Sequence, residues 1–240
     1  MAHFKTTPNM KTQLNKMTKL WTLILSSLSL IACQNQNANI PYKVGQSYIY
    51  QVTVSDSNST ILQIDTLTMI VKNKGLIGGI LGLNMADWKS TKFKEGDQER
   101  GINLESEFVE IQVPTNYDYL ENENIVIAGY PSYSKSMLTG YTSESEHQFI
   151  KGYGKLSNTK LMQFKIIKDS SKVKFHNDSF MCQVAEYNNI TGAEKYGLFK
   201  LKSYYNNEYG FLKMEYKYPN GKVIDFILIA IKNETETIDK

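Results

Sequence analysis

Residues 211–231 read Phe-Leu-Lys-Met-Glu-Tyr-Lys-Tyr-Pro-Asn-Gly-Lys-Val-Ile-Asp-Phe-Ile-Leu-Ile-Ala-Ile. At the start of this stretch, large apolar side chains alternate with charged ones, which is the period of a strand with one face in a core and the other in water. Asn220-Gly221 supplies the two positive-φ residues that a type I′ turn needs. We therefore predict a two-residue β-hairpin that joins Phe211–Tyr218 to Val223–Ile231.

The second arm of this hairpin is apolar on both faces apart from Asp225. A strand of this kind lies inside a sheet rather than at its edge. A second hairpin is predicted near residue 50, where large residues alternate from Tyr48 to Val54 before the turn-forming run Ser55–Ser59. Its other arm is Thr60–Lys72, which is rich in Ile, Leu, Thr and Val.

Six further stretches have the composition of strands: Asn84–Lys94, Ile102–Val113, Ser145–Lys151, Lys160–Lys168, Ser179–Asn188 and Gly197–Tyr205. Residues 115–141 have less clear periodicity, and we interpret them as long connections around a short strand near Ile125. Tyr and Phe are abundant, and no long segment has a helical apolar stripe. We expect an all-β, mainly antiparallel fold, with a curved sheet of about eight to ten strands forming a half-barrel or closed barrel. Little helix is expected outside the leader.

The leader combines a basic start with an apolar run, Trp21–Ala32, that ends at Cys33. This is the order of a secretory signal, and the run is shorter than the roughly 20 residues that span a bilayer as a helix. Leu30-Ile31-Ala32-Cys33 resembles the lipobox of bacterial lipoproteins, and the resemblance implies cleavage before a lipidated Cys33. The alternative is an ordinary signal peptide with a cysteine near its cleavage site.

These features predict three segments: a lipoprotein signal peptide over residues 1–32, a lipidated polar tether over residues 33–41 and a single β-rich domain over residues 42–240. Met17 would begin a compact leader of its own, so we expect translation to start at Met17 or, alternatively, at Met10. The acyl chains on Cys33 would anchor the protein stably to a membrane.

The leader also accounts for the basic charge of the chain. It holds four lysines and no acidic residue, so the mature part has 23 basic and 24 acidic residues and a net charge of −1. This balance removes the electrostatic case for binding nucleic acid or an anionic membrane.

After the leader the chain has a single cysteine, Cys182, in a strand-like stretch. One cysteine cannot form an internal disulfide, and we expect a buried, inert thiol rather than a nucleophile.

Gly75–Leu83 interleaves four glycines with five aliphatic residues and has no charge. It lacks the Gly-Lys-Ser/Thr ending of a phosphate-binding loop. One interpretation is a mobile apolar flap that contacts lipid, an apolar ligand or a partner, and the other is a tightly packed bend in the core. On the first interpretation, the contact residues are Leu76, Ile77, Ile80, Leu81 and Leu83.

His147 and His176 are the histidines of the mature chain. No Gly-x-Ser-x-Gly elbow and no His-Glu-x-x-His pattern accompanies them, so we expect no catalytic residue, no metal site and no cofactor. An acidic cluster formed by Asp118, Glu121 and Glu123 lacks calcium-loop spacing and is interpreted as a solvated loop. A set of aromatic residues is expected either to line a ligand cleft or to pack in the core: Tyr204, Tyr205, Tyr209, Phe211, Tyr216 and Tyr218.

Two passages, Gly152–Leu156 and Tyr204–Tyr216 with its Asn-Gly hairpin, are similar to passages in uncharacterised β-rich envelope lipoproteins of Gram-negative bacteria. More distantly, the terminal hairpin resembles the half-barrel of the periplasmic lipoprotein-carrier (LolA/LolB-like) fold. The resemblance implies a curved antiparallel sheet whose concave face holds acyl chains, and it brings no catalytic residue with it.

We therefore expect a lipid-anchored, non-enzymatic cell-envelope protein whose domain binds an apolar ligand or another envelope protein. The alternatives are a periplasmic inhibitor or immunity-type protein and a hydrolase. Gln34 follows Cys33 in place of the aspartate that, in some bacteria, retains lipoproteins in the inner membrane, which favours the outer membrane.

Overall fold

A computed structural model describes residues 41–73, 83–90, 98–105, 108–114, 129–149, 159–191 and 200–233. These residues form β-strands and connections, with no helix among them. None of these described segments could therefore cross a membrane as an apolar helix. The strands are β1 Gln46–Ser55, β2 Ile61–Asn73, β3 Leu83–Ser90, β4 Gln98–Glu105, β5 Phe108–Ile111, β6 Ser132–Ser134, β7 Thr142–Phe149, β8 Thr159–Phe175, β9 Asp178–Thr191, β10 Lys200–Asn206, β11 Gly210–Lys217 and β12 Val223–Asn233.

The strands form one antiparallel sheet in the order β6-β5-β4-β3-β2-β1-β12-β11-β10-β9-β8-β7. Each half of the sheet is a meander, and the halves meet where β1 pairs with β12. The sheet has 12 strands, so its edges would lie roughly 50 Å apart if it were flat. The edge strands β6 and β7 are joined by residues 135–141, which span at most about 28 Å. The sheet must curl, and it forms a half-barrel, one of the two predicted forms, with 12 strands rather than the predicted eight to ten.

The core lies on the concave face of this sheet. Alternate residues of β1, from Tyr48 to Val54, point into it, and so do Ile224, Phe226 and Leu228 of β12. The largest fully buried side chains include five aromatic residues from three strands: Tyr48, Tyr50, Phe211, Tyr216 and Phe226. The alternation in the sequence therefore did predict which face of these strands is buried.

The C-terminal hairpin is confirmed, and β12 lies inside the sheet between β1 and β11. Asp225, the exception in its apolar pattern, lies on the outer face 3.1 Å from Lys213 Nζ. The predicted turn type was wrong. Gly221 has positive φ but Asn220 does not, and Gly221 N–H donates to Tyr218 C=O at 3.0 Å. The connection is a type I turn followed by a left-handed glycine, because Pro219 fixes a negative φ at the first central position.

One other strand prediction needs correction. Ile102–Val113 is not one strand, since β4 ends at Glu105 and β5 begins at Phe108. A three-residue edge strand, β6, lies at Ser132–Ser134, whereas Ile125 is outside the described residues. The predicted hairpin near residue 50 is confirmed as β1 and β2, and Asp56 Oδ1 accepts hydrogen bonds from Asn58 N and Thr60 N in its turn.

Candidate functional site

The chain joins the core directly at Tyr42. This side chain is 3% exposed, and its hydroxyl accepts a hydrogen bond of 2.7 Å from the backbone N–H of Phe211. Its ring lies 4.7 Å from that of Tyr48. We call the end of the sheet around Tyr42 and the β10–β11 turn the tether end. The opposite end, where β1 finishes at Ser55 and β2 begins at Ile61, is the far end.

An aromatic cluster occupies the tether end, at the tips of the β8–β9 and β10–β11 hairpins. The rings of Phe175 and Tyr209 are 5.1 Å apart, and those of Phe180 and Tyr209 are 4.8 Å apart. Phe175 is buried, whereas Phe180 and Tyr209 are half-buried. His176 packs on Phe175 with a centroid distance of 4.2 Å and has positive φ, as the tight turn requires.

A polar cluster lies buried on the concave face, where the two edges of the sheet come together. Lys165 Nζ on β8 donates to Ser132 Oγ on β6 at 3.1 Å. Tyr187 on β9 holds the same residue by its backbone, because its hydroxyl donates to Ser132 C=O at 2.7 Å and accepts from Ser132 N–H at 2.8 Å. These three contacts fasten edge strand β6 to the opposite half of the sheet.

Burial shifts the pKa values of two ionisable groups in this cluster, Lys165 and Glu110. Loss of solvation lowers the pKa of Lys165 to about 8, although the carboxylate of Glu110 on β5 opposes the shift. Burial also raises the pKa of Glu110 to about 7, with the ammonium of Lys165 acting in the other direction. The two groups therefore titrate as a coupled pair near neutral pH.

His147 belongs to the margin of this cluster. Its Nε2 lies 3.1 Å from Gln163 Oε1 and 3.2 Å from Ser145 Oγ, and its ring meets the edge of Tyr130 at 5.1 Å. Burial lowers the pKa of His147. Besides Ser145, the partner of His147 is the side-chain amide of Gln163, whereas the histidine of a Ser-His-Asp triad contacts a carboxylate. Ser145 is also exposed.

A serine hydroxyl bonded to a lysine of lowered pKa has the composition of the Ser-Lys catalytic pair. Here both side chains are almost inaccessible, with 7% of Ser132 and 5% of Lys165 exposed. The backbone N–H of Ser132, which could help to bind an oxyanion, already donates to Tyr187. The arrangement is therefore better suited to holding β6 in place than to attacking a substrate.

Cys182 is buried as predicted, and burial raises the pKa of its thiol to about 12. The thiol is thus protonated at neutral pH, and a thiolate nucleophile is disfavoured. Of the sequence-predicted aromatic set, Tyr205, Phe211 and Tyr216 are core residues, which supports the packing interpretation over a ligand cleft. The other three members, Tyr204, Tyr209 and Tyr218, pack against this core.

Two predictions concern residues that are not described. The Gly75–Leu83 contact residues Leu76, Ile77, Ile80 and Leu81 lie outside the described ranges, and Leu83 is described only as the first residue of β3. The acidic cluster of Asp118, Glu121 and Glu123 also lies outside them. Among the residues that the structure does describe, no group of three His, Cys, Asp or Glu side chains could hold a metal ion.

Sequence reasoning did not identify Glu110, Ser132 or Lys165. The one available signal was the alternation in β8, where Gln163 and Lys165 fall in the same row as the core residues Leu161 and Ile167. Because the other row of this strand contains Phe164 and Ile166, the sequence did not show which face is buried.

No protein-family model matches the chain, and no curated protein matches it. Among solved structures, a Bacteroides fragilis NCTC 9343 protein assigned as exported, with a YmcC-like fold, is similar at 11% identity and a TM-score of 0.50 over 80% of this chain and 98% of that one. A Parabacteroides distasonis ATCC 8503 protein assigned as a lipoprotein has 12% identity and a TM-score of 0.47 over 83% and 100% of the two chains. The hypothetical lipoprotein YmcC from Escherichia coli K12 has 9% identity and a TM-score of 0.38 over 88% and 97%. The first similarity shows a shared fold.

Proposed function

We propose that this chain is a lipid-anchored, non-catalytic protein of the cell envelope whose β-domain binds another envelope protein. The observation that carries the binding proposal is a group of exposed aliphatic side chains at the far end. Ile61, Leu62 and Ile64 are 58%, 43% and 48% exposed at the start of β2. Grouped apolar side chains on a surface are typical of protein contacts, whereas single ones are common everywhere.

The anchor is supported by the sequence of the leader, and the domain begins shortly after it. The lipobox-like Leu30–Cys33 predicts lipidation, and Tyr42 begins the packed domain only nine positions after Cys33. The fold shared with the Bacteroides fragilis protein, which is assigned as exported, agrees with export of this chain. We favour the outer membrane because Gln34, rather than an aspartate, follows Cys33.

The second candidate is an apolar ligand on the concave face, as the resemblance to the lipoprotein-carrier half-barrel implies. One observation favours it: the sheet is curled but its two edges, β6 and β7, are not paired with each other. Against it, Tyr48, Tyr50 and Phe226 fill the described middle of this face with fully buried side chains. We therefore rank the protein partner first, including an enzyme that this domain inhibits.

The anchor is tested by feeding cells an alkyne-labelled fatty acid and separating inner from outer membranes. We expect label on the wild-type chain in the outer membrane and no label on Cys33→Ala. Label in the inner membrane would contradict only the choice of membrane, and an unlabelled wild-type chain would remove the anchor.

The partner is tested by placing a photo-crosslinking amino acid at Leu62 and, as a control, at Leu138, which is 77% exposed on the β6–β7 connection. We expect a protein adduct from position 62 that is absent from position 138 and that Ile61→Ser weakens. Lipid adducts alone in mass spectra would favour the second candidate instead.

Absence of catalysis is tested with a fluorophosphonate probe, which labels activated serines. We expect no labelling of the wild-type chain. Labelling that Ser132→Ala or Lys165→Met abolishes would establish the hydrolase alternative.

A further inference from the structure

We propose that the tether end of the β-domain rests on the lipid bilayer, with Phe180, Met181, Tyr209 and Val44 in contact with the interfacial region. The proposal rests on the lipid anchor at Cys33, and adds to it a defined orientation of the domain and a set of contact residues. The bilayer contact and the partner-binding group at Ile61, Leu62 and Ile64 then occupy opposite ends of the sheet.

The first argument is the reach of the tether. Residues 34–41 separate Cys33 from Tyr42, and nine residue steps span at most about 31 Å. The ten residues of β1 then place the far end about 30 Å from the tether end. The tether end therefore lies within reach of a lipid on Cys33, whereas contact by the far end would use nearly the full length of this segment to run back along the domain.

The second argument is the chemistry of the surface at the tether end. Val44 and Met181 are 54% and 56% exposed at this end, which also has the half-buried rings of Phe180 and Tyr209. Aromatic residues with one apolar and one polar part are favoured where hydrocarbon meets water, and a tyrosine hydroxyl can remain among the headgroups. The Phe180–Tyr209 contact of 4.8 Å holds the two rings as one surface.

The third argument concerns charge. Exposed Lys43, Lys172, Lys174 and Lys232 lie at this end, together with the acidic side chains of Asp178 and Glu208, both of which act on Tyr209. The acidic side chains offset only part of this positive charge, but a phosphatidylcholine bilayer has no net charge to attract it. We therefore expect apolar contact with a neutral bilayer, and little effect of salt.

The test uses tryptophan as a depth probe in the full, lipidated protein. Met181→Trp places a probe at the tether end, and Ile61→Trp places one at the far end, at a position of nearly equal exposure, 56% against 58%. Trp88 is the native tryptophan of the mature chain, and it is 2% exposed, so it contributes a constant background to both variants. The variants are reconstituted into phosphatidylcholine vesicles with brominated acyl chains, which quench nearby tryptophans.

We expect Met181→Trp to lose emission in brominated vesicles and to shift to the blue, while Ile61→Trp keeps its emission. High salt should leave this difference unchanged. Tyr209→Trp serves as a second probe if Met181→Trp does not fold, and it should be quenched in the same way.

Flotation of the same samples separates the two proposals. Protein that floats with the vesicles but shows equal emission at both probes would overturn the orientation and leave the anchor intact. Protein that does not float would contradict the lipid anchor itself. Quenching at Ile61→Trp alone would reverse the orientation and assign the far-end aliphatic group to the bilayer.

Discussion

Replacing Lys165 by methionine removes a buried ammonium while keeping a side chain of similar length. The ammonium is 5% exposed, and burial lowers its pKa from 10.5 to about 8 in the folded protein. Holding this group in the charged form therefore opposes folding. We expect Lys165→Met to be more stable than the wild-type chain wherever Lys165 is charged in both the folded and the unfolded states.

The size of the effect follows from the two pKa values. The two pKa values differ by about 2.5, and a change of one in pKa corresponds to about 1.36 kcal/mol. Below pH 8 the charged lysine therefore lowers the free energy of unfolding by roughly 3 kcal/mol. The variant also loses the hydrogen bond from Lys165 to Ser132, which stabilises by about 1 kcal/mol. At pH 6, where Glu110 with its pKa of about 7 is mostly neutral, the net gain is about 2 kcal/mol.

The stability that Lys165→Met gains over the wild-type chain must decrease as the pH rises. Between the folded pKa of about 8 and the unfolded value near 10.4, the unfolded chain holds the proton of Lys165 and the folded chain has released it. The unfolded state binds more protons in this window, so the wild-type chain gains stability with increasing pH and approaches the variant. At about pH 9.5 the remaining cost is roughly 1 kcal/mol and is offset by the lost hydrogen bond, so the two should be equal.

Urea unfolding at pH 6 and pH 9.5, followed by the emission of Trp88, measures both values on a form that begins at Gln34 and so has neither the lipid nor Trp21 of the leader. Lys168→Met is the matched control, because Lys168 lies on the same strand in an exposed ion pair of 3.5 Å with Glu186. We expect the control to change the free energy of unfolding by less than about 0.5 kcal/mol at either pH. A Lys165→Met variant that is less stable at both values, or whose effect does not depend on pH, would refute the reasoning.

Further predictions follow from Gly210 and Tyr187. Gly210→Ala should destabilise by about 3 kcal/mol in the same unfolding assay, because φ is +80° and the new Cβ would lie 2.4 Å from the ring of Tyr42. Gly45→Ala should cost only about 1 kcal/mol, since φ is similar but there is open space around it. Equal losses would show that the Tyr42 contact does not matter. Tyr187→Phe removes the hydroxyl bound to Ser132, so it should lower the free energy of unfolding by about 2 kcal/mol and speed amide exchange in β6. Unchanged exchange in β6 would contradict the role of Tyr187 in fastening this strand.

The sequence predicted the parts of the fold that depend on local alternation. The rows Tyr48–Val54 and Leu212–Tyr216 each have one clear apolar face, and both faces are buried as expected. The prediction of a type I′ turn was wrong because it rested on Asn220-Gly221 alone. The fixed φ of Pro219 favours a type I turn followed by a left-handed glycine. The break between Glu105 and Phe108 was missed because no Gly, Pro or Asn marks it in the sequence.

The order of the sheet could not be obtained from the sequence in the same way. Pairing of β1 with β12 joins Tyr48 to Ile231, and nothing local to either strand specifies such a distant partner. Edge strand β6 is too short, at three residues, for any period to be visible. The curvature does follow from the strand order. Once β6 and β7 are known to be the edge strands, the short segment that joins them requires the sheet to curl.

The polar cluster shows why the site was harder to predict than the fold. Glu110 and Ser132 come from the first meander, whereas Lys165 and Tyr187 come from the second, so the cluster exists only when the two halves of the sheet meet. Apolar packing between the halves would tolerate sliding by a residue or more, but the paired hydrogen bonds of Tyr187 to one backbone unit would not. Burying Lys165 opposes folding. Its hydrogen bond to Ser132 nevertheless helps to fix how the two halves of the sheet are aligned, which explains why a lysine is present there. On this reasoning, Lys165→Met gains stability at pH 6 and loses specificity in the position of β6.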